Sequence, residues 1–153
     1  MAALRRILHP TDFSPASRPA FHQAIELAKA LRSELVVMHV LSPVIVPIMS
    51  AEVYIPPDTY DDLERTARSV ALRHLDRLVA RAKQARVRVT RRLIEGTPTA
   101  DRIVRAARAL RAGVIVMGTH GHTGVTRLVL GSVATRVVAT AACPVLTVRG
   151  RSR

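Results

Sequence analysis

Tryptophan is absent from the 153 residues, and phenylalanine and tyrosine contribute two apiece. A protein that stacks nucleobases on a row of aromatic rings needs side chains that this one lacks. The single cysteine, Cys143, excludes an intramolecular disulfide and a cage of several thiolates. Lysine is scarce as well: 22 of the 24 basic residues are arginine, and with 11 acids the formal charge is +13. No segment supplies the ~20 uninterrupted apolar residues of a spanning helix. The longest stretch without a formal charge, 35–51, is broken by Ser42, Pro43 and Pro47. Arg5 and Arg6 lead into His9-Pro10 before any signal-peptide core forms, so the expected location is the cytoplasm.

What is present is ordinary globular protein, 48% hydrophobic and 23% charged. The length fits one domain over 1–150, followed by a short basic tail, 151–153. Two readings of the charge stand side by side. It serves a nucleic acid or another polyanion, or arginine is simply the long solvated side chain used on helix surfaces. Residues 63–111 concentrate it, with 14 bases and four acids.

Strand and helix patterns alternate along the chain. Arg6–His9 reads as a first strand stopped by Pro10. Ser14-Pro15 and Ser17-Arg18-Pro19 each offer a helix start, ahead of an inner face of Phe21, Ala24, Ile25, Ala28 and Leu31. The unbroken apolar run Leu35–Leu41 marks a strand covered on both faces. A second helix is expected from about Asp61 to Ala85, with Leu63, Ala67, Val70, Ala71, Leu75, Leu78 and Ala82 inward. Val87, Val89 and Leu93 suggest a third strand with one exposed face, and Thr97-Pro98 caps a third helix. Val114–Met117 is a fourth strand ended by Gly118, Ser132 caps a last helix through Ala141, and Pro144–Val148 closes the sheet. Five strands joined by four helices imply an α/β fold with a parallel sheet and right-handed crossovers. The Pro-rich connection 42–60 is long enough to serve as a lid or contact surface, or to lie as an insertion over the sheet edge.

The segment richest in chemistry is Gly118-Thr119-His120-Gly121-His122-Thr123-Gly124, which continues through Arg127 to Gly131-Ser132. It leaves a buried strand and enters a helix. Glycines admit an anion close to backbone N–H groups, and a helix start adds open donors. Ser132 can donate its hydroxyl, Arg127 can fork onto a phosphate, and His120 and His122 can touch one when protonated. The pattern is neither a P-loop nor the dinucleotide fingerprint. Glycines that serve tight turns alone would look the same.

The spacing Gly118-x2-Gly121-x9-Gly131-Ser132 resembles the signature of the universal stress protein family, in its ATP-binding branch. Ile7–Ser14 resembles the family's opening strand and turn, and Ala142–Val148 its closing strand. The resemblance implies sheet order 3-2-1-4-5, a homodimer, and ATP in a cleft, with Mg2+ or Mn2+ as its candidate divalent companion. It also implies a stress-adaptation role without assigned chemistry. In that order the winding reverses between strands one and four, where open parallel sheets take their ligands. The resemblance implies that Asp12 faces adenosine, with Pro10 and Thr11 lining the same wall, and that Val40 matches the position whose backbone meets the adenine. Gly118, Gly121, Gly131, Ser132 and Val133 match the phosphate side, and Met117, His120 and Arg127 complete the expected site. An Asx turn before the first helix explains Asp12 equally well.

Nothing in the sequence assigns a catalytic residue or a metal-ligand set. His9 and His39 read as hydrogen-bonded core histidines and Cys143 as a small buried filler. The third strand carries Arg88, Arg91 and Arg92, which discourage edge pairing. The fifth, with Val145, Leu146, Thr147 and Val148, is uncharged and invites a two-fold mate. The expected function is a small ATP-binding regulator. The alternatives are a slow ATP hydrolase at the same site and a basic nucleic-acid-binding module. The crossovers place the arginines of the second and third helices on opposite faces, which argues against the last, and no membrane partner is expected.

Overall fold

The computed structural model describes residues 4–43, 56–120 and 130–150. Its elements are β1 (Arg6–Pro10), a 3-10 turn (Pro15–Ser17), α1 (Arg18–Leu31), β2 (Glu34–Leu41), α2 (Pro57–Gln84), β3 (Arg88–Glu95), α3 (Thr99–Ala109), β4 (Val114–Gly118), α4 (Ser132–Thr140) and β5 (Val145–Val148). The five strands are parallel, in the expected order β3-β2-β1-β4-β5. The alternation of side chains along each strand divides the core in two. Ile7, Leu35, Val37, Val114 and Val116 pack with Phe21, Ala24 and Ile25 of α1 and with Leu75 and Ala82 of α2. Leu8, Val36, Met38, Ile115 and Met117 pack on the other face, against Ile103 and Val104 of α3 and Val137 of α4. The arginine-bearing helices α2 and α3 therefore cover opposite faces.

Five expectations about helix ends and faces need correction. Leu31, expected on the inner face of α1, is the last residue of that helix and is exposed. Ser132 is the first residue of α4 rather than its cap; Gly131 is the cap, so the Ser132 hydroxyl stands too far along to close the first turn. Thr97 does not cap α3 either. Pro98 holds that position without a side-chain acceptor, and Asp101 supplies the negative charge of the first turn. α2 starts four residues before the expected Asp61, at Pro57, whose ring is preset for a first turn. Its expected inner stripe is only half used: Ala71, Leu75 and Ala82 are buried, whereas Leu63 and Val70 are exposed. The reason is length. Twenty-eight helical residues run about 42 Å, while the eight-residue strands beneath run about 27 Å, so the first half of α2 overhangs the sheet.

The strand starts gather at one edge of the sheet and their carboxyl ends at the other. Arg6 ties the starts of β1 and β2 through Glu34 at 2.9 Å, which holds that carboxyl below its usual range. Three helix exits at this edge turn through left-handed residues that are not glycine: Arg32 (φ 52°), Arg86 (φ 61°) and Arg111 (φ 50°). Among the described residues no helix is long and apolar enough to cross a membrane.

Candidate functional site

Beyond the carboxyl end of β1 the chain is fixed by short polar side chains. The Asp12 Oδ1 accepts the N–H of Ser14 at 3.0 Å, an Asx turn, and the Thr11 Oγ1 accepts the N–H of Phe13 at 3.0 Å. Thr11 and Ser17, both buried, share a hydrogen bond of 3.1 Å, and the Ser17 hydroxyl donates to the Ser14 carbonyl at 2.8 Å. Phe13 turns in the left-handed region (φ 63°), and its ring stacks near His39 (4.4 Å between centroids) and His74 (4.9 Å). His39 donates from Nδ1 to the Thr11 carbonyl at 2.8 Å. These contacts leave the Asp12 carboxylate half-buried at the rim of the switch point.

The end of β4 meets this turn. A Cβ on Gly118 would lie 3.3 Å from the His120 carbonyl and 3.4 Å from that of Ala16, so the 3-10 turn after Asp12 crosses directly over Gly118. Gly131 donates its N–H to the Thr119 carbonyl at 2.8 Å, and a Cβ there would sit 3.1 Å from the same oxygen. At both positions a side chain would press on neighbouring backbone, which must give by a few tenths of an ångström to admit it. That close approach also draws the N-terminus of α4 against Thr119 and His120. Thr119 Oγ1 and His120 Nδ1 share a bond of 2.9 Å, while the buried Nε2 of His120 has no partner among the described residues.

The structure brings Pro10, Thr11, Asp12, Met117, Gly118, His120, Gly131, Ser132 and Val133 to the carboxyl ends of β1 and β4 and to the helix that follows. Val40 lies one strand away, near the end of β2. Pro10, Val40 and Met117 are buried, and the latter two belong to the core, so they offer an arriving molecule backbone rather than side chain. Gly121 and Arg127, with His122 and Gly124, lie outside the described residues, as do the tail 151–153 and most of the 42–60 connection. The sequence reading assigned Thr119, whose carbonyl anchors Gly131, no role, and marked Ser14 and Ser17 only as helix starts, the N-cap positions they occupy. It took His39 for a core residue without seeing that it holds Thr11; its place one residue before Val40 was the available signal.

One strand further out, a cavity of about 350 Å3 opens between the ends of β2 and β3 and the overhang of α2. Leu41, Ser42, Gly96 and the paired Arg68 and Glu95 line it, one residue past Val40. His9, fully buried beneath the switch point, donates from Nδ1 to the Val116 carbonyl at 2.8 Å. Burial lowers its pKa to about 4, so the ring is neutral near pH 7. Cys143 is half-buried against the α3–α4 core, and desolvation raises its thiol pKa.

The sequence profile of the universal stress protein family matches residues 3–149. The chain belongs to that family. A universal stress protein of Methanocaldococcus jannaschii is 34% identical over 95% of this chain and 82% of its own. A family member from Burkholderia pseudomallei has a solved structure that superposes with a TM-score of 0.75, at 28% identity over 98% of this chain and 99% of its own. The same fold is seen at lower identity in structures solved with nucleotides. One is an Arabidopsis thaliana family member with AMP bound (18% identity, TM-score 0.66, 96% and 92% covered). Another is a universal stress protein in complex with cAMP (22% identity, TM-score 0.69, 98% and 100% covered).

Proposed function

We propose that this universal stress protein binds ATP at the β1–β4 switch point and acts as a nucleotide-dependent regulator in the cytoplasm. The observation that carries the reading is the crossing of the Asp12 turn over Gly118 beside a helix capped by Gly131. The first N–H groups of α4 have no intrahelical acceptor, and the exposed Ser132 hydroxyl stands beside them, a donor set suited to a phosphate tail. In this reading Asp12 accepts from the ribose, the Val40 main chain flanks the base, and Gly121 and Arg127 join the phosphate side. The AMP and cAMP bound by fold neighbours support an adenine nucleotide. Mg2+ or Mn2+ would be held mainly by the phosphates, since no trio of His, Cys, Asp or Glu converges among the described residues.

A homodimer through the outer edge of β5 belongs to the same proposal. Leu146 is 39% exposed on that edge. The deciding experiment is to denature the purified protein, identify any released nucleotide by mass spectrometry, and titrate the stripped protein with ATP and Mg2+ by calorimetry. Adenine nucleotide in the released fraction, or saturable heat with ATP, is expected. A protein that carries no nucleotide and gives no heat with ATP, AMP or cAMP would overturn the reading.

A further inference from the structure

The edge where the strands begin carries a groove of about 500 Å3, on the far side of the sheet from the proposed nucleotide site. Five arginines line it, and Glu34 is the acid among the lining residues. The sheet order sets them in a line: Arg88 opens β3, Arg32 precedes β2, Arg5 and Arg6 lead into β1, and Arg111 precedes β4. Neighbouring strands lie about 4.8 Å apart, so the row extends about 15 Å.

Helix ends explain part of this row. Arg6 donates to the Leu110 carbonyl at the end of α3, and Arg88 to the Arg32 carbonyl at the end of α1. The side chains of Arg5, Arg32 and Arg111 are exposed and make no hydrogen bond or ion pair among the described residues. Three helix C-termini supply about −1.5 charges at most, too little to balance the row. Arg32 and Arg111 also occupy left-handed positions, which glycine adopts without the steric strain a side chain brings.

We propose that this row docks the phosphodiester backbone of a nucleic-acid duplex, without reading its sequence. A line of cations suits a linear polyanion: phosphates of one strand rise about 3.4 Å per nucleotide along the duplex axis, so about 15 Å of axis covers about four of them. Guanidinium forks match phosphate oxygens, and the scarcity of aromatic residues leaves nothing to stack on bases. The surface is a groove, unlike the flat face a membrane presents. A two-fold contact between copies of this chain at this groove would set the arginine row against itself. The α2 and α3 arginines lie on opposite faces and play no part.

The test is fluorescence anisotropy of a labelled 20-base-pair duplex against salt concentration. The parent protein is expected to bind with a log–log salt slope of about −3 to −4. The triple variant Arg5→Gln, Arg32→Gly, Arg111→Gly keeps the backbone relaxed, because glycine accepts both left-handed positions. It should bind about tenfold or more weaker at 0.1 M salt, with a slope shallower by about 2 to 3. A charge-matched control, Arg73→Gln, Arg77→Gln, Arg105→Gln, alters exposed helix positions and should retain duplex binding. ATP titrations of both variants should match the parent, which keeps this outcome separate from the nucleotide reading. The proposal is overturned if the parent fails to bind duplex at 50 mM salt, or if both variants lose affinity equally. Tighter capture by phosphatidylserine vesicles or by a polyglutamate peptide would overturn it too.

Discussion

His9 donates from Nδ1 to the carbonyl of Val116 at 2.8 Å, so a side chain of β1 completes the seam with β4 where strand pairing stops at Leu8 and Ile115. The bond fixes the tautomer: Nδ1 carries the proton and the buried Nε2 does not. Ladder pairing ends at the same level, and beyond it the turn after Asp12 crosses over the end of β4 at Gly118.

A pH dependence follows from that burial. The His9 pKa is about 4 in the folded protein against an ordinary 6.5, because desolvation outweighs the Val116 bond and the Asp12 charge. Between pH 6.5 and pH 4 the unfolded chain binds a proton that the native protein refuses. This contribution is complete above pH 6.5 and declines by about 3 kcal/mol as the pH falls to 4. Urea denaturation at pH 7.5 and 4.5 checks it. His9→Asn should be less stable than the parent at pH 7.5, and the gap should narrow at pH 4.5. A gap independent of pH would rule out His9 as the source.

Asp12 has two separable duties. Asp12→Ala removes the acceptor for the Ser14 N–H and should cost about 1 kcal/mol in thermal unfolding. Asp12→Asn keeps an oxygen for that bond and should unfold close to the parent. If the carboxylate also receives a ribose, both variants lose ATP affinity in calorimetry. If only the alanine variant does, the turn alone matters.

Gly131 is constrained by space rather than by backbone angle, since its φ is −58°. Valine there must displace the Thr119 carbonyl, which receives the Gly131 N–H. Gly131→Val is expected to lower stability by about 1–3 kcal/mol and to weaken ATP binding at least about tenfold. Calorimetry on the folded variant provides the check, and undiminished ATP affinity would contradict the proposed phosphate side.

The β5 edge can be probed without cutting the sheet. The carbonyls of Pro144 and Val148 accept from Ile115 of β4 and from Thr119 just past it, so by the two-residue period Leu146 also bonds inward while Val145 and Thr147 face outward. Thr147→Pro therefore removes an outward donor and leaves the β4–β5 ladder whole. Sedimentation velocity should show a shift to monomer with little change in unfolding. A dimer that persists unchanged would place the interface elsewhere.

The alternation of strands and helices was legible because the apolar runs differ in period: Leu35–Leu41 is unbroken, whereas α1 repeats Phe21, Ala24, Ile25 and Ala28 at helical spacing. The order of the sheet came from a family resemblance, since periodicity says nothing about which strands are neighbours. Helix starts misled where a hydroxyl residue stood next to the true cap, as Ser132 does beside Gly131. The exposed Leu63 and Val70 could not be foreseen, because their burial depends on how far the sheet extends beneath α2. The left-handed turns at Arg32, Arg86 and Arg111 were hidden for a similar reason: the residues that usually announce them, glycine and asparagine, are replaced there by arginine. At the site, the glycine pattern located the segment, but the backbone contacts that explain Gly118 and Gly131 come from Ala16 and Thr119, one of them distant in sequence.

The overhang of α2 makes one continuous helix behave as two thermodynamic segments. From Ala71 onward it is clamped by the core, whereas the earlier turns depend on contacts such as the salt-sensitive Arg68–Glu95 and Arg65–Asp62 pairs. Fraying should begin at Pro57 and halt near Ala71. Amide exchange along this single helix would then be graded, fast at its head and as slow as global unfolding at its foot.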